Sequence, residues 1–87
     1  MFYVYILKSA KDSELYIGST KDWKDRVSKH NAGKVFSTKN RRPFALVYYE
    51  AYRDEGEARL REKRLKLRGQ ARRRLFDRIE KSLCYKF

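Results

Sequence analysis

Residues Phe2–Lys8 read F-Y-V-Y-I-L-K, an aromatic and β-branched run that favours extended backbone. Ala10-Lys11-Asp12-Ser13 is polar and turn-like, and Leu15-Tyr16-Ile17 is a second short apolar run, ended by Gly18. Two such runs joined by a short turn predict a β-hairpin, and the turn sets its register. With a four-residue loop, Ser9 opposes Glu14, Leu7 opposes Tyr16 and Tyr5 opposes Gly18. Opposed residues project from the same face, so Tyr5 and Tyr16 lie diagonally on one face, within reach of each other's rings. Gly18 has no side chain, so the Tyr5 hydroxyl keeps an open approach.

The remaining segments predict elements that pack on this hairpin. Ser19-Thr20 can cap a helix, and Asp22 suits the positive end of its dipole. Trp23, Arg26, Val27 and His30 recur at i, i+3, i+4 and i+7, which is one helical face. Trp23 and Val27 are expected to pack on the sheet, Trp23 as core, with Arg26 and His30 carried inward beside them. Gly33 is the expected C-cap. Lys34–Pro43 reads as a loop with four basic residues in ten. Phe44–Tyr52 reads as a third strand, the longest, and so is expected at the centre of the sheet or well buried. Asp54 starts a second helix running to about Arg68, and Gly69 breaks it. A third helix runs from about Gln70 to Leu83, with Leu75, Phe76, Ile79 and Leu83 as its apolar stripe. One domain over residues 1–87 is expected.

Charge is the first functional signal. Lys and Arg number 23 against 11 Asp and Glu, a net +12. Such an excess opposes compaction and is usually offset by a polyanionic partner. Nucleic acid leads, because a basic domain releases condensed counterions when it docks on phosphates. An anionic membrane surface or a ribosomal RNA site fits the charge as well. From Ala58 to Lys81, eleven basic residues face only Glu62, Asp77 and Glu80. Glu62 lies four residues after Ala58 and three before Leu65, on their inward stripe. A carboxylate placed there should be paired or bind a cation.

Several classes drop out. At 41% apolar and 15% aromatic, the chain is not intrinsically disordered despite 39% charged residues. No apolar run approaches the ~20 residues that span a bilayer. No basic stretch precedes the first apolar run, so no secretory signal is expected. The one cysteine, Cys84, makes neither an internal disulfide nor a zinc site, and the expected location is cytoplasmic.

No phosphate-cradling glycine loop, HExxH, paired-cysteine site or Ser/His/Asp arrangement is present. What remains is Tyr5, Tyr16, Arg26, His30 and Glu62, converging on one side of a small sheet. Phosphodiester hydrolysis needs such groups: a base for water, a cation for the pentavalent phosphate, and a carboxylate for a divalent metal. Singly, each has an ordinary structural use. The tyrosines suit a sheet, Arg26 can pair with Asp22, His30 can be a satisfied buried histidine, and Glu62 can pair with a basic neighbour.

Taken in order, Tyr3-Val4-Tyr5, Tyr16-Ile17-Gly18 eleven residues after Tyr5, Arg26, His30-Asn31 and Glu62 resemble the GIY-YIG endonuclease superfamily. Lys39-Asn40-Arg41-Arg42-Pro43 and Leu46-Val47-Tyr48-Tyr49-Glu50 are similar to its small stand-alone bacterial members. The sequence departs from the pattern in three ways, the first being that no Asn follows Glu62, whereas some members use one late in the domain. Tyr3 stands where the first motif begins with Gly, and Ser19 where the excision-repair nuclease domain has Lys. The resemblance implies an α/β fold with a small three-stranded antiparallel sheet flanked by helices. It implies a metal-dependent nuclease using one divalent ion, Mg²⁺ or Mn²⁺. In that reading Tyr16 is the general base or orients water, and Tyr5 helps position water or metal. Arg26 stabilises phosphate charge, His30 supports the tyrosines, Glu62 binds the metal, and Gly18 is a structural motif residue. Lys39, Arg41, Arg42 and Lys66 are the expected nucleic-acid contacts, with Arg41 and Arg42 equivalent. The expected partner is DNA in preference to RNA, with a protein partner for specificity an open option, no membrane, and a monomeric state. The rival readings are a non-catalytic nucleic-acid-binding module and an RNA or ribosome accessory protein of the same fold.

Overall fold

The computed structural model describes all 87 residues, Met1–Phe87. Strands β1 (Phe2–Ser9), β2 (Leu15–Thr20) and β3 (Phe44–Tyr52) form one antiparallel sheet in the order β2-β1-β3. The hairpin takes the expected register, with Tyr5 opposite Gly18 and Leu7 opposite Tyr16. Ser9 N–H donates to Glu14 at 3.0 Å, and Ser13 turns the chain in the left-handed region at φ 61°.

The central strand is β1; the longest strand, β3, lies at an edge, contrary to the sequence expectation. Two-sided burial decides this rather than length. Val4, Tyr5, Ile6 and Leu7 are all buried, so β1 needs cover on both faces and on both flanks. In β3, Tyr49 and Ala51 are exposed. A bulge at Val47 also switches the facing of β3: Leu46 pairs with Leu7, but Tyr48 pairs with Ile6. Phe44 and Leu46 therefore face one way, and Tyr48, Glu50 and Tyr52 the other.

Helix α1 (Trp23–Asn31) covers one face, over a core of Tyr5, Leu7 and Phe44 with Val27, Tyr16 and Leu46 around it. Its N-cap is Asp22, whose carboxylate accepts from Asp25 N–H at 3.1 Å; Ser19 and Thr20 stay in β2, paired with Val4 and Tyr3. Its C-terminus closes on Gly33 at φ 75°, where Gly33 N–H donates to His30 and Lys34 N–H to Lys29. Asn31 then clamps the start of β3, its amide bonding both the C=O and the N–H of Phe44.

The opposite face carries the larger core. Val4, Ile6 and Ile17 pack against Ala58 and Leu65 of α2 (Glu55–Lys66) and Leu75 of α3 (Gln70–Arg78). Full burial of a side chain such as Ile6 or Leu65 stabilises by roughly 1.5–3 kcal/mol. Asp54 caps α2, as expected, by accepting from Glu57 N–H. The single last helix expected from sequence is broken at Ile79, which leaves α4 (Glu80–Leu83) as one separate turn. Tyr48, Tyr52 and Arg61 converge on Glu50, tying β3 to α2. Burial pushes this carboxyl up, and the Arg61 and tyrosine donors outweigh it to hold it low. No helix is long and apolar enough to cross a membrane.

Candidate active site

Tyr5 and His30 are both buried on the α1 face. The Tyr5 hydroxyl lies 3.0 Å from His30 Nε2, and His30 Nδ1 lies 2.7 Å from Oγ1 of buried Thr38. Tyr5 turns toward β2 because Gly18 leaves it space: a Cβ there would collide with the Tyr5 hydroxyl. Burial and the nearby Arg26 cation lower the imidazole to about 4, so it is neutral at pH 7. Burial raises the Tyr5 phenol above its ordinary value, against the pull of Arg26, so it too is neutral.

Arg26 reaches this pair from α1. The Tyr5 hydroxyl beside it, and secondarily Tyr16, raise its already high basicity. Thr38 Oγ1 donates to the Val35 carbonyl and so accepts from His30 Nδ1, which leaves Nε2 to accept from the Tyr5 hydroxyl. Nδ1 then carries the imidazole proton and donates to Thr38. Arg26 thus points to the tyrosines, and the Asp22 carboxylate is used as the helix cap instead of pairing with it.

Tyr16 sits half-buried in front of this chain. Its ring lies 4.9 Å from that of His30 and 6.3 Å from that of Tyr5. It is therefore packed edge-on against the histidine, and Tyr16 lies near enough to Arg26 to add to that guanidinium's basicity.

Glu62 comes from α2 on the other face and meets the constellation at edge strand β2. Ser19 Oγ, next to Gly18, donates to Glu62 Oε1 at 2.5 Å, and Lys66 Nζ pairs with Oε2 at 2.6 Å. The carboxylate is close enough to weigh on Tyr5's ionisation. It opens into a shallow surface depression that Arg59, Lys63 and Lys66 share. No three acidic, histidine or cysteine side chains cluster to form a complete metal cage.

Ser19 and Thr38 escaped the sequence reading. Ser19 looked like a helix cap, and its place directly after Tyr-Ile-Gly is the signal that marks it. Thr38 carries no motif; only the fold of the 34–43 loop brings it under His30.

The basic contacts separate into different environments. Arg41 donates to Asp12 at 2.8 Å, lies over the Phe44 ring, and gives its carbonyl to Ser9. It holds the loop on the hairpin, so it is not equivalent to Arg42, which is exposed beside Gly33. Lys39 sits over the exposed Phe36 ring, and Lys66 is the partner of Glu62.

Residues 1–75 match the family model of the GIY-YIG catalytic domain. The chain belongs to the GIY-YIG family. Among similar proteins is UPF0213 protein SH2523 of Staphylococcus haemolyticus, 48% identical over 65 residues, covering 74% of this chain and 78% of that one. UPF0213 protein SERP0126 of Staphylococcus epidermidis is 49% identical over the same extent. The solution NMR structure of UPF0213 protein BH0048 from Bacillus halodurans is similar at a TM-score of 0.54 and 34% identity, covering 91% of this chain and 85% of that one. GIY-YIG is a nuclease superfamily, and its α/β fold is the three-stranded sheet with flanking helices described above.

Proposed function

We propose that residues 1–87 act as one monomeric GIY-YIG domain that hydrolyses phosphodiester bonds, in DNA rather than RNA. The observation that carries this is the buried chain Tyr5–His30–Thr38, with Arg26 beside the tyrosines and the Tyr16 ring packed on His30. A purely structural tyrosine pair needs no cation beside it and no neutral imidazole held at both nitrogens.

In this reading Tyr16 touches the attacking water, orienting it or accepting its proton. Arg26 donates to the non-bridging oxygens, where negative charge grows in the transition state. Tyr5 and His30 are positioning residues: they hold Arg26 and the Tyr16 ring and do not exchange protons with bulk water. Glu62 is the residue to hold Mg²⁺ or Mn²⁺. A single carboxylate fits such an ion, which keeps several waters and takes its other ligands from substrate phosphate. The half-exposed Lys66 ammonium has to give way to it. A bound divalent ion supplies charge neutralisation at the phosphate and a more acidic water.

Arg59, Lys63, Lys39 and Arg42 supply the phosphate field around this site. The test is the purified protein with Mg²⁺ or Mn²⁺ against plasmid, branched DNA and RNA. Cleavage that Glu62→Gln and Tyr16→Phe abolish supports the reading. Tight binding with no cleavage of any member supports a non-catalytic binding module instead.

A further inference from the structure

We propose that Tyr49 and Trp23 form a base-stacking platform beside this site, so that the substrate presents an unpaired nucleotide there. The inference rests on the nucleic-acid reading above and adds the substrate class. Tyr49 is the direct cross-strand neighbour of Tyr5, on the opposite side from Gly18. Its ring lies 5.4 Å from Trp23 and 5.5 Å from Tyr3, and it remains 45% exposed. None of the three rings belongs to either apolar core. Trp23, expected as core, instead stacks on the rim. Tyr3 takes the place where the family motif begins with Gly, and its edge braces Tyr49.

The surroundings are cationic and select the occupant. Lys24 Nζ lies over the Trp23 ring at 5.7 Å, and Arg26 follows Trp23 by three residues, a rise of about 4.5 Å. An aromatic face with Lys24 over one ring and Arg26 on the same helix suits a nucleobase with its phosphates. The base covers the ring, Lys24 moves to the flanking phosphate, and Arg26 takes the phosphate at the site. Bases inside a duplex are already stacked and present no face, so single strands, loops and flaps are the class that fits.

Trp23 is the only tryptophan, so its fluorescence reports the platform directly. The experiment titrates the protein, without divalent metal, with oligothymidylate, oligouridylate, an abasic phosphodiester of equal length, and a duplex. Both base-bearing single strands are expected to quench Trp23, and the abasic strand and duplex to bind without comparable quenching. Tyr49→Ala should weaken single-strand binding about five-fold or more and leave duplex binding unchanged, while Tyr49→Phe binds like the parent. Quenching by oligouridylate alone would keep the platform and assign it to RNA. Equal quenching by the abasic strand, or Tyr49→Ala binding single strands like the parent, overturns the platform alone. Failure of every polyanion to bind overturns the nucleic-acid reading with it.

Discussion

The Tyr5 hydroxyl is held 3.0 Å from His30 Nε2, on a histidine with no solvent exposure. This divides the two motif tyrosines by role. Tyr5 is buried, with Arg26 nearby and its O–H donated to the neutral imidazole. Tyr16 packs on the same imidazole by its ring and is only half-buried. One buried histidine thereby fixes both rings.

Tyr16→Phe should lower cleavage by about 10²-fold or more, the usual contribution of a positioned acid–base group. Nucleic-acid affinity and the thermal midpoint should hold, because the ring still packs. Parallel loss of affinity, or of near-UV circular dichroism, would make this tyrosine structural.

His30 makes stability pH-dependent. Unfolded, it takes a proton near 6.5; folded, only near 4, because burial and Arg26 disfavour the cation. Between these values the unfolded chain binds more protons, so stability is full above about 6.5 and falls as pH drops toward 4. The whole shift corresponds to roughly 3 kcal/mol. Urea unfolding at several pH values should show this fall. His30→Gln should be less stable at pH 7 and show a flatter profile over the same window.

Gly18→Ala places a methyl against the Tyr5 hydroxyl, and the backbone beneath it cannot retreat without breaking the β1–β2 ladder. The displaced tyrosine loses His30 and Arg26 together. Destabilisation of about 1–3 kcal/mol is expected, with a larger loss of cleavage than of stability. Thermal melts and cleavage assays on one preparation separate the two.

Glu62→Gln should abolish metal-dependent cleavage and leave the fold intact. The amide oxygen still accepts from Ser19, and the lost pair with half-exposed Lys66 is worth at most ~1 kcal/mol. Ser19→Ala should reduce the metal response without abolishing it, because the carboxylate remains but is less well held. Cleavage against Mg²⁺ concentration reads both.

The hairpin, its register and the tyrosine diagonal were legible because turn length and two-residue alternation act locally. The helix face bearing Trp23, Arg26, Val27 and His30 was legible for the same reason. The position of β3 was not. Its alternation is broken by the bulge at Val47, which no local rule announces, and two-sided burial of β1 places the longest strand outside. The inward stripe of Glu62 was readable, but its bond to Ser19 joins residues 43 apart and depends on how α2 crosses β2. Thr38 and the Arg41–Asp12 tie are likewise products of the loop's long-range path.

Arg41 and Arg42, adjacent in sequence, should respond differently to alanine. Arg42 is exposed without an acidic partner, whereas Arg41 is bound to Asp12 and lies over Phe44. Duplex affinity should fall with log salt at roughly −0.9 per neutralised phosphate. Arg42→Ala should make that slope shallower by up to about one unit and weaken unrelated sequences alike. Arg41→Ala should change the slope less and instead loosen the loop that carries Thr38 to His30. Its mark is on stability and its pH dependence. Arg41 holds the Asp12 carboxyl down to about 2, so this contribution is present above about 4 and is lost as pH falls toward 2. Arg41→Ala should reduce that acid-side loss, because only the Glu14 amide and Ser9 still hold Asp12, while leaving the higher window set by His30. Salt titrations of labelled duplex, paired with urea unfolding from pH 7 down to acid, read the two variants side by side. Equal slopes and equal acid sensitivity would show that both arginines serve only as phosphate contacts.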